Sequence, residues 1–139
     1  MLFSPNNSKF KKCQKGSITN KLSNNFDLIH LNSNAIKLIA NDFGDLTVKQ
    51  LTSIRFLIRK FIKKKGLVKF CVFPQKSISK KPLEIRMGKG KGNFSHWSAK
   101  IKKGTTICEI LYKKKYIRSI LKILKRAQIR LPIKTLIKI

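Results

Sequence analysis

The chain has 139 residues, with 33 Lys or Arg against 5 Asp or Glu, and a formal net charge of +28. This length suits one domain, and a hydrophobic content of 42% permits a core. Like charges at this density oppose compaction, so we expect an anionic partner. A nucleic-acid backbone is the first candidate, and an acidic membrane surface is the alternative. The acids are dispersed without a close pair for acid–base chemistry, so an enzyme is not expected.

The cysteine and histidine pattern offers no metal site. Cys13, Cys71 and Cys108 are odd in number and lack C-x-x-C spacing, and His30 and His96 stand alone. Cys71 and Cys108 lie in apolar runs and are therefore predicted to be buried thiols. No metal and no cofactor is predicted. The sequence has no run of eighteen apolar residues, so no transmembrane helix is expected.

The first part of the chain predicts an extended arm followed by a folded domain. Residues 1–25 are polar and basic and are assigned to the arm, and residues 26–139 to a single α+β domain. Segment 26–40 alternates weakly, which favours one or two short strands with a turn at residues 32–34.

The clearest predicted element is a helix that starts after Thr47. Thr47 and Gln50 have the spacing of a capping box, with Leu46 and Leu51 at the flanking apolar positions. Residues 63–65 are expected in the last turn, where lysines suit the helix dipole, and Gly66 is expected to end the helix. The predicted apolar stripe comprises Leu51, Ile54, Leu57, Ile58, Phe61 and Ile62.

The rest of the chain predicts short strands and a second helix. Strands are expected at residues 67–73, before Pro74, at 83–86 and at 97–102, where Trp97 is expected in the core. A turn at 103–104 should return the chain as a hairpin through 105–111. Residues 114–128 predict a helix with one basic face, and residues 133–139 a final strand. We therefore expect an α+β fold, a mainly antiparallel sheet with two amphipathic helices on one face.

A glycine–lysine run within residues 80–95 is the most informative segment. Gly88, Gly90 and Gly92 alternate with Lys89 and Lys91. Glycine lets a backbone approach a surface closely, and its N–H groups can contact phosphate. A flexible solvated loop is the plain alternative. The run matches neither the dinucleotide fingerprint nor the P-loop pattern.

Basic helix faces and two aromatic residues add to the binding hypothesis. So few carboxylates exist that i,i+4 salt bridges cannot explain the helix cations, whereas a phosphate surface can. Phe94 and Trp97 flank the loop, and either could stack on an unpaired base. The role of Phe94 is left open.

Residues 81–93, KPLEIRMGKGKGN, resemble the signature of the ribosomal protein L-sixteen family in its bacterial and organellar form. Further similar segments are the basic run at 9–16, the capped helix after Leu46, residues 72–74 and residues 131–135. The resemblance covers nearly the whole chain. It departs at 17–25 and 41–45, where Arg-Gly pairs of bacterial members are replaced by Asn/Ser-rich or acidic residues.

The resemblance implies a structural constituent of the large ribosomal subunit and no enzyme. The expected RNA partners are large-subunit rRNA near the A-site side of the peptidyl-transferase centre and A-site tRNA, with P-site tRNA as a secondary candidate. Neighbouring large-subunit proteins are also expected partners, and a membrane is not. The residues assigned to RNA are Lys9, Lys11, Lys12, Lys15, Arg55, Arg59, Lys63, Lys64, Lys80, Lys81, Lys122, Lys125, Arg126 and Lys134. The loop residues assigned to the tRNA side are Arg86, Met87, Gly88, Lys89, Gly90, Lys91 and Gly92.

Residue usage indicates an organellar genome or an A/T-rich cell. Lys outnumbers Arg by 27 to 6, and Ile occurs 19 times against 4 Ala. Such choices favour A/T-rich codons. We therefore expect an organelle-encoded protein of the mitochondrial ribosome, located in the matrix.

Overall fold

A computed structural model describes residues 4–5, 8–14, 16, 35–63, 66–112 and 114–139. The predicted turn at 32–34, Lys15 and Lys64 lie outside these residues. In chain order the described elements are β1 (Ala35–Ala40), β2 (Gly44–Thr47), α1 (Val48–Ile62), β3 (Gly66–Phe70), β4 (Lys76–Lys80), β5 (Asn93–Ile101), β6 (Thr106–Tyr112), a short 3-10 helix (Lys114–Tyr116), α2 (Ile117–Ile129) and β7 (Thr135–Lys138).

Helix α1 begins as the capping-box spacing predicts. The Gln50 backbone N–H donates to Thr47 Oγ1 at 3.3 Å, and the Thr47 N–H donates to Gln50 Oε1 at 2.9 Å. Leu46 and Leu51, which flank the cap, are both fully buried. Local hydrogen bonding and flanking apolar packing thus fix the first turn.

The end of α1 differs from the prediction. The helix ends at Ile62, and Lys63 follows with a φ of 40° while its N–H still donates to the Arg59 carbonyl at 3.1 Å. Gly66 does not cap the helix but begins β3. A Cβ there would meet the Leu111 carbonyl oxygen of β6. The close approach of a neighbouring strand therefore explains this glycine.

The two helices pack together through their predicted apolar stripes. Leu51, Ile54, Ile58 and Ile62 of α1 are buried, as are Ile120, Ile123, Leu124 and Ala127 of α2. Leu57 is partly buried, but Phe61, also predicted in the stripe, is 44% exposed. Their basic residues remain on the opposite sides. The α+β class is therefore confirmed, with each helix contributing its apolar face to one core.

The described strands form two antiparallel sheets rather than one. Their orders are β3-β6-β1-β7 and β2-β5-β4. The predicted hairpin between residues 97–102 and 105–111 is wrong, because β5 and β6 belong to different sheets. At the turn between them, Gly104 N–H donates to the Ala40 carbonyl at 2.8 Å, and Ala40 N–H donates to the Thr105 carbonyl at 2.9 Å. The chain is thereby bonded to the end of β1 instead of folding back on β5.

Three smaller predictions also fail. Residues 83–86 form no strand but part of an exposed loop, with Leu83 96% exposed. Trp97 is half-buried rather than in the core, and its strand already begins at Asn93. Cys71 is exposed because it lies just beyond the end of β3, whereas Cys108 is buried as predicted. Burial raises the pKa of Cys108 to about 12.

Candidate nucleic-acid interface

The glycine–lysine run forms an exposed loop between β4 and β5. Gly88, Lys89 and Gly90 have φ values of 96°, 52° and 82°. Such positive φ angles are strained for residues with a Cβ, so the turn requires its two glycines. No atom lies within 4 Å of a Cβ placed at either glycine. The tip therefore presents bare backbone to open space, where a flat or charged surface can approach it.

The base of this loop is narrow. A Cβ at Gly92 would lie 2.7 Å from the carbonyl carbon and oxygen of Lys80 and 2.8 Å from Lys81 N. Further along, the Lys81 ammonium donates to the Gly88 carbonyl. The Gly92 backbone thus lies close to that of Lys80 and Lys81, and the Lys81 ammonium bonds across the loop.

The loop mixes exposed apolar and cationic side chains. Met87 is 96% exposed and Ile85 is 52% exposed. Arg86 is exposed, and Lys89 is exposed between Gly88 and Gly90. Lys80, at the end of β4, is also exposed. Such a surface suits contact with nucleotides, because phosphates attract the cations and bases offer apolar faces.

The described part of the arm lies against the sheet beside this loop. Cys13 Sγ donates to the Ser77 carbonyl at 3.4 Å and lies 3.1 Å from Ser77 Oγ. Lys91 donates to the Cys13 carbonyl, and Lys12 to the Lys91 carbonyl at 3.4 Å. Further along, Lys100 donates to the Gly16 carbonyl at 2.9 Å. The structure thus unites arm and loop in one basic surface, which we call the arm–loop surface (residues 8–14, 16, 76–81, 86–92 and 100).

A pocket of about 160 Å³ lies where the arm meets β4. It is lined by Cys13, Asp45, Lys76, Ser77, Ile78, Ser79 and Lys91. The hydrogen bond from Ser77 lowers the pKa of the Cys13 thiol. The neighbouring Lys100 ammonium lowers the pKa of Lys76. Lys76 and Lys91 line the pocket, and their positive charges add to the lowering of the Cys13 pKa.

The described lysines of the predicted arm are exposed. Lys9, Lys11 and Lys12 are exposed, and the Lys9 ammonium lies 5.8 Å from the centre of the Phe10 ring. Phe10 is itself 77% exposed. Next to the loop, Phe94 contacts Trp97 with ring centroids 5.1 Å apart and planes tilted by 54°. This pairing occupies part of each ring, so Phe94 is not a freely standing aromatic.

The helix cations form separate basic areas. Arg59 and Lys63 are exposed and line a cleft of about 230 Å³ between the end of α1 and β3, while Arg55 is half-buried. The exposed cations of α2 and the segment after it are Lys122, Lys125, Arg126 and Lys134. The fold therefore joins the arm to the loop but leaves the helix cations on other elements.

Sequence reasoning missed Lys76 and Lys100 as candidates. Lys76 pairs with Ser98 across β4 and β5, and Lys100 lies two residues further on the same strand. Residues two apart share a face, so the two lysines are diagonal neighbours. Strand alternation could have assigned each lysine a face, but only the register between the strands brings them together.

Carboxylates and metal ligands do not explain this surface. Glu109 is buried on β6 and already pairs with Lys37 at 3.6 Å. No group of three or more His, Cys, Asp or Glu residues in the described parts of the chain could hold a metal ion. Among the same residues, neither helix has the length and hydropathy to cross a bilayer. The balance of 33 basic against 5 acidic residues gives a formal net charge of +28.

Comparisons with known proteins give the family. The family described as ribosomal protein L16p/L10e matches residues 5–138. Large ribosomal subunit protein uL16c of Euglena longa is 39% identical over 109 residues, 78% of each chain. Protein uL16 of Acinetobacter baylyi is 40% identical, and that of Wigglesworthia glossinidia brevipalpis 42%, each covering 78% of this chain and 77% of the relative. A match over almost the whole chain, on a fold with the exposed glycine–lysine loop, identifies this protein as a member of the ribosomal protein L16p/L10e family.

Proposed function

We propose that this protein is a structural constituent of the large ribosomal subunit and binds its rRNA. Family membership supports incorporation into the large ribosomal subunit, and the basic arm–loop surface supports binding to rRNA phosphates. The arm and loop contribute exposed lysines to one surface, and the chain has only 5 acidic residues to neutralise 33 basic ones. Lysine–phosphate contacts of this kind position a protein on RNA without reading its sequence.

The exposed glycine–lysine loop is proposed to face the tRNA sites. Its tip combines Arg86 and Lys89 with bare glycine backbone at positions 88 and 90. In this proposal the tip helps to position A-site tRNA, with P-site tRNA as a secondary contact, and the rest of the chain binds rRNA and neighbouring proteins. The remaining predicted residues, including those of the arm, α1, α2 and Lys134, are proposed to contact rRNA.

The buried helix stripes argue against the membrane alternative. A cationic amphipathic helix binds a bilayer by inserting its apolar face. In α1 and α2 the stripes pack into the protein core. Membrane insertion would therefore require the core to open.

Sedimentation tests the assembly directly. In a sucrose gradient the protein should migrate with the large subunit and remain there after a moderate salt wash. Recovery at the top of the gradient would refute the proposal. In ribosomes that contain the protein, Arg86→Ala should impair tRNA accommodation or subunit maturation more than Lys122→Ala. Equal and negligible effects of Arg86→Ala and Lys122→Ala would contradict a special role for the loop.

We further propose that the ribosome is mitochondrial and that the gene is organellar. The excess of Lys and Ile over Arg and Ala supports this origin. Ribosomes prepared from purified mitochondria should contain the protein, and its synthesis should persist when cytosolic translation is blocked. Recovery only in cytosolic or plastid ribosomes would contradict the assignment.

A further inference from the structure

Two lysine side chains from different strands converge over the arm at Gly16. The ammonium nitrogen of Lys100 lies 3.5 Å from the position that a Cβ on Gly16 would occupy, and that of Lys76 lies 3.9 Å from it. Lys100 also donates to the Gly16 carbonyl at 2.9 Å. The two cationic groups are thus directed at one point where the arm has no side chain.

This convergence is electrostatically unfavourable in the free chain. The side-chain hydrogen bond with Lys100 is the largest cause of the lowered pKa of Lys76, desolvation follows, and the positive charge of Lys100 lowers it further. Asp45, on β2 opposite Lys100, acts in the other direction but does not reverse the shift. Cys13 also favours the charged form of Lys76. An anion placed between the two ammonium groups would remove the repulsion.

The surroundings suit a phosphate group. Lys76 also lines the pocket of about 160 Å³, whose wall includes Lys91 and the serines at positions 77 and 79. Ammonium groups donate to phosphate oxygens in short, charge-assisted hydrogen bonds, and several donors can share one phosphate. The arm closes one side of the site through the bond from Cys13 to Ser77.

We propose that Lys76 and Lys100 together bind one phosphodiester group of an RNA strand beside Gly16. This inference rests on the proposed function, since it takes the ligand to be rRNA. It adds that the lysine pair acts as a unit, and that the RNA is bound where the arm meets the sheet. The RNA contact thereby stabilises the docked arm, because Lys100 bonds to both.

The salt dependence of RNA binding can count the phosphates that the pair contacts. The probe is large-subunit rRNA stripped of protein, bound by the full-length chain, with the binding constant measured over a range of salt. Each lost phosphate contact reduces the slope of log K against log salt by about 0.9 in duplex or about 0.7 in single-stranded regions. K76Q and K100Q should each lose about one such contact. The double variant should lose no more than about one, because both lysines share it.

A control pair on separate elements gives the comparison. K76Q combined with K125Q, on α2, should lose the sum of the two single losses. The lysine-pair proposal is overturned if K76Q and K100Q leave the slope unchanged, or if their losses add like those of the control pair. K76R should retain the slope, because it keeps the charge. If K76R reduces the slope of the salt dependence and also lowers the melting temperature, Lys76 has a purely structural role and the lysine-pair proposal is overturned.

Nuclear magnetic resonance of the lysine ammonium groups supplies a second readout. In the free protein, K100Q should raise the pKa of Lys76, and RNA should raise it in the wild type. Inorganic phosphate is the competing source of the same chemistry. Perturbation of the Lys76 and Lys100 signals by inorganic phosphate but not by RNA would overturn the RNA assignment. Failure of the wild type to bind rRNA at all would instead refute the proposed function, so the two failures are distinguishable.

Discussion

Replacing Gly92 with alanine tests whether the narrow loop base determines the loop's shape. The added Cβ would lie 2.7 Å from the Lys80 carbonyl and 2.8 Å from Lys81 N, closer than the 3.0 Å limit that real Cβ atoms respect. Both partners are backbone atoms, so no side-chain rotation can relieve the contact. The two sides of the loop base must therefore separate.

The expected loss can be worked out from this overlap. Forcing a methyl group into a filled site costs about 1–3 kcal/mol. In a chain of this size each kcal/mol lowers the melting temperature by about 3–4 °C, which predicts a decrease of about 3–12 °C. The Asn93→Ala control changes the adjacent exposed residue and should stay within about 0.5 kcal/mol of the wild type.

Thermal unfolding followed by circular dichroism measures both variants. The full-length chain should be melted in about 1 M salt, where a Debye length of about 3 Å screens the repulsion among its cations. Equal melting temperatures for Gly92→Ala and Asn93→Ala would refute the reasoning, because they would show that the strand backbones separate without cost. A lower melting temperature for Asn93→Ala than for Gly92→Ala would refute it as well.

Two further predictions concern the helix cap and the thiols. Thr47→Ala should lower the free energy of unfolding by about 1 kcal/mol, because it removes the acceptor for the Gln50 N–H in the first turn. Thr47→Ser should stay near the wild type. Urea denaturation measures the free energy of unfolding, and equal stability of the wild type and both variants would contradict the capping role of Thr47. Iodoacetamide should label Cys13 at the lowest pH, since its pKa is lowered and the thiolate is the reactive form. Cys71 is exposed, but partial desolvation of its thiol and the nearby Glu109 raise its pKa, so it should require higher pH. Buried Cys108, with a pKa of about 12, should require unfolding. Site-resolved mass spectrometry measures the order, and labelling of Cys71 before Cys13 would contradict it.

Local chemistry explains which features could be predicted from the sequence. The start of α1 depends on Thr47 and Gln50, three residues apart, and its buried stripe depends on helical spacing. The loop depends on glycines at 88 and 90 that supply positive φ angles. Each of these features involves residues close together in the chain, so the sequence pattern alone carries the information.

Strand pairing was less predictable, because alternation identifies a strand but not its neighbour. Residues 97–102 and 105–111 read as a hairpin, yet the chain between them bonds to Ala40 and the two strands enter different sheets. In the same way, Gly66 looked like a helix cap, but its place is set by the carbonyl of Leu111 on β6. Both errors come from contacts between residues far apart in sequence.

The sequence by itself determined the charge, the two amphipathic helices, the glycine–lysine loop and, through its resemblance, the family. Tertiary structure alone decided that the arm lies against β4 and β5, and that Lys76 and Lys100 meet over Gly16. The physical reason is that a helix or a turn is stabilised by neighbours along the chain. A shared binding site instead depends on strand register and on docking across 60 or more residues, since Cys13 contacts a residue 64 positions away.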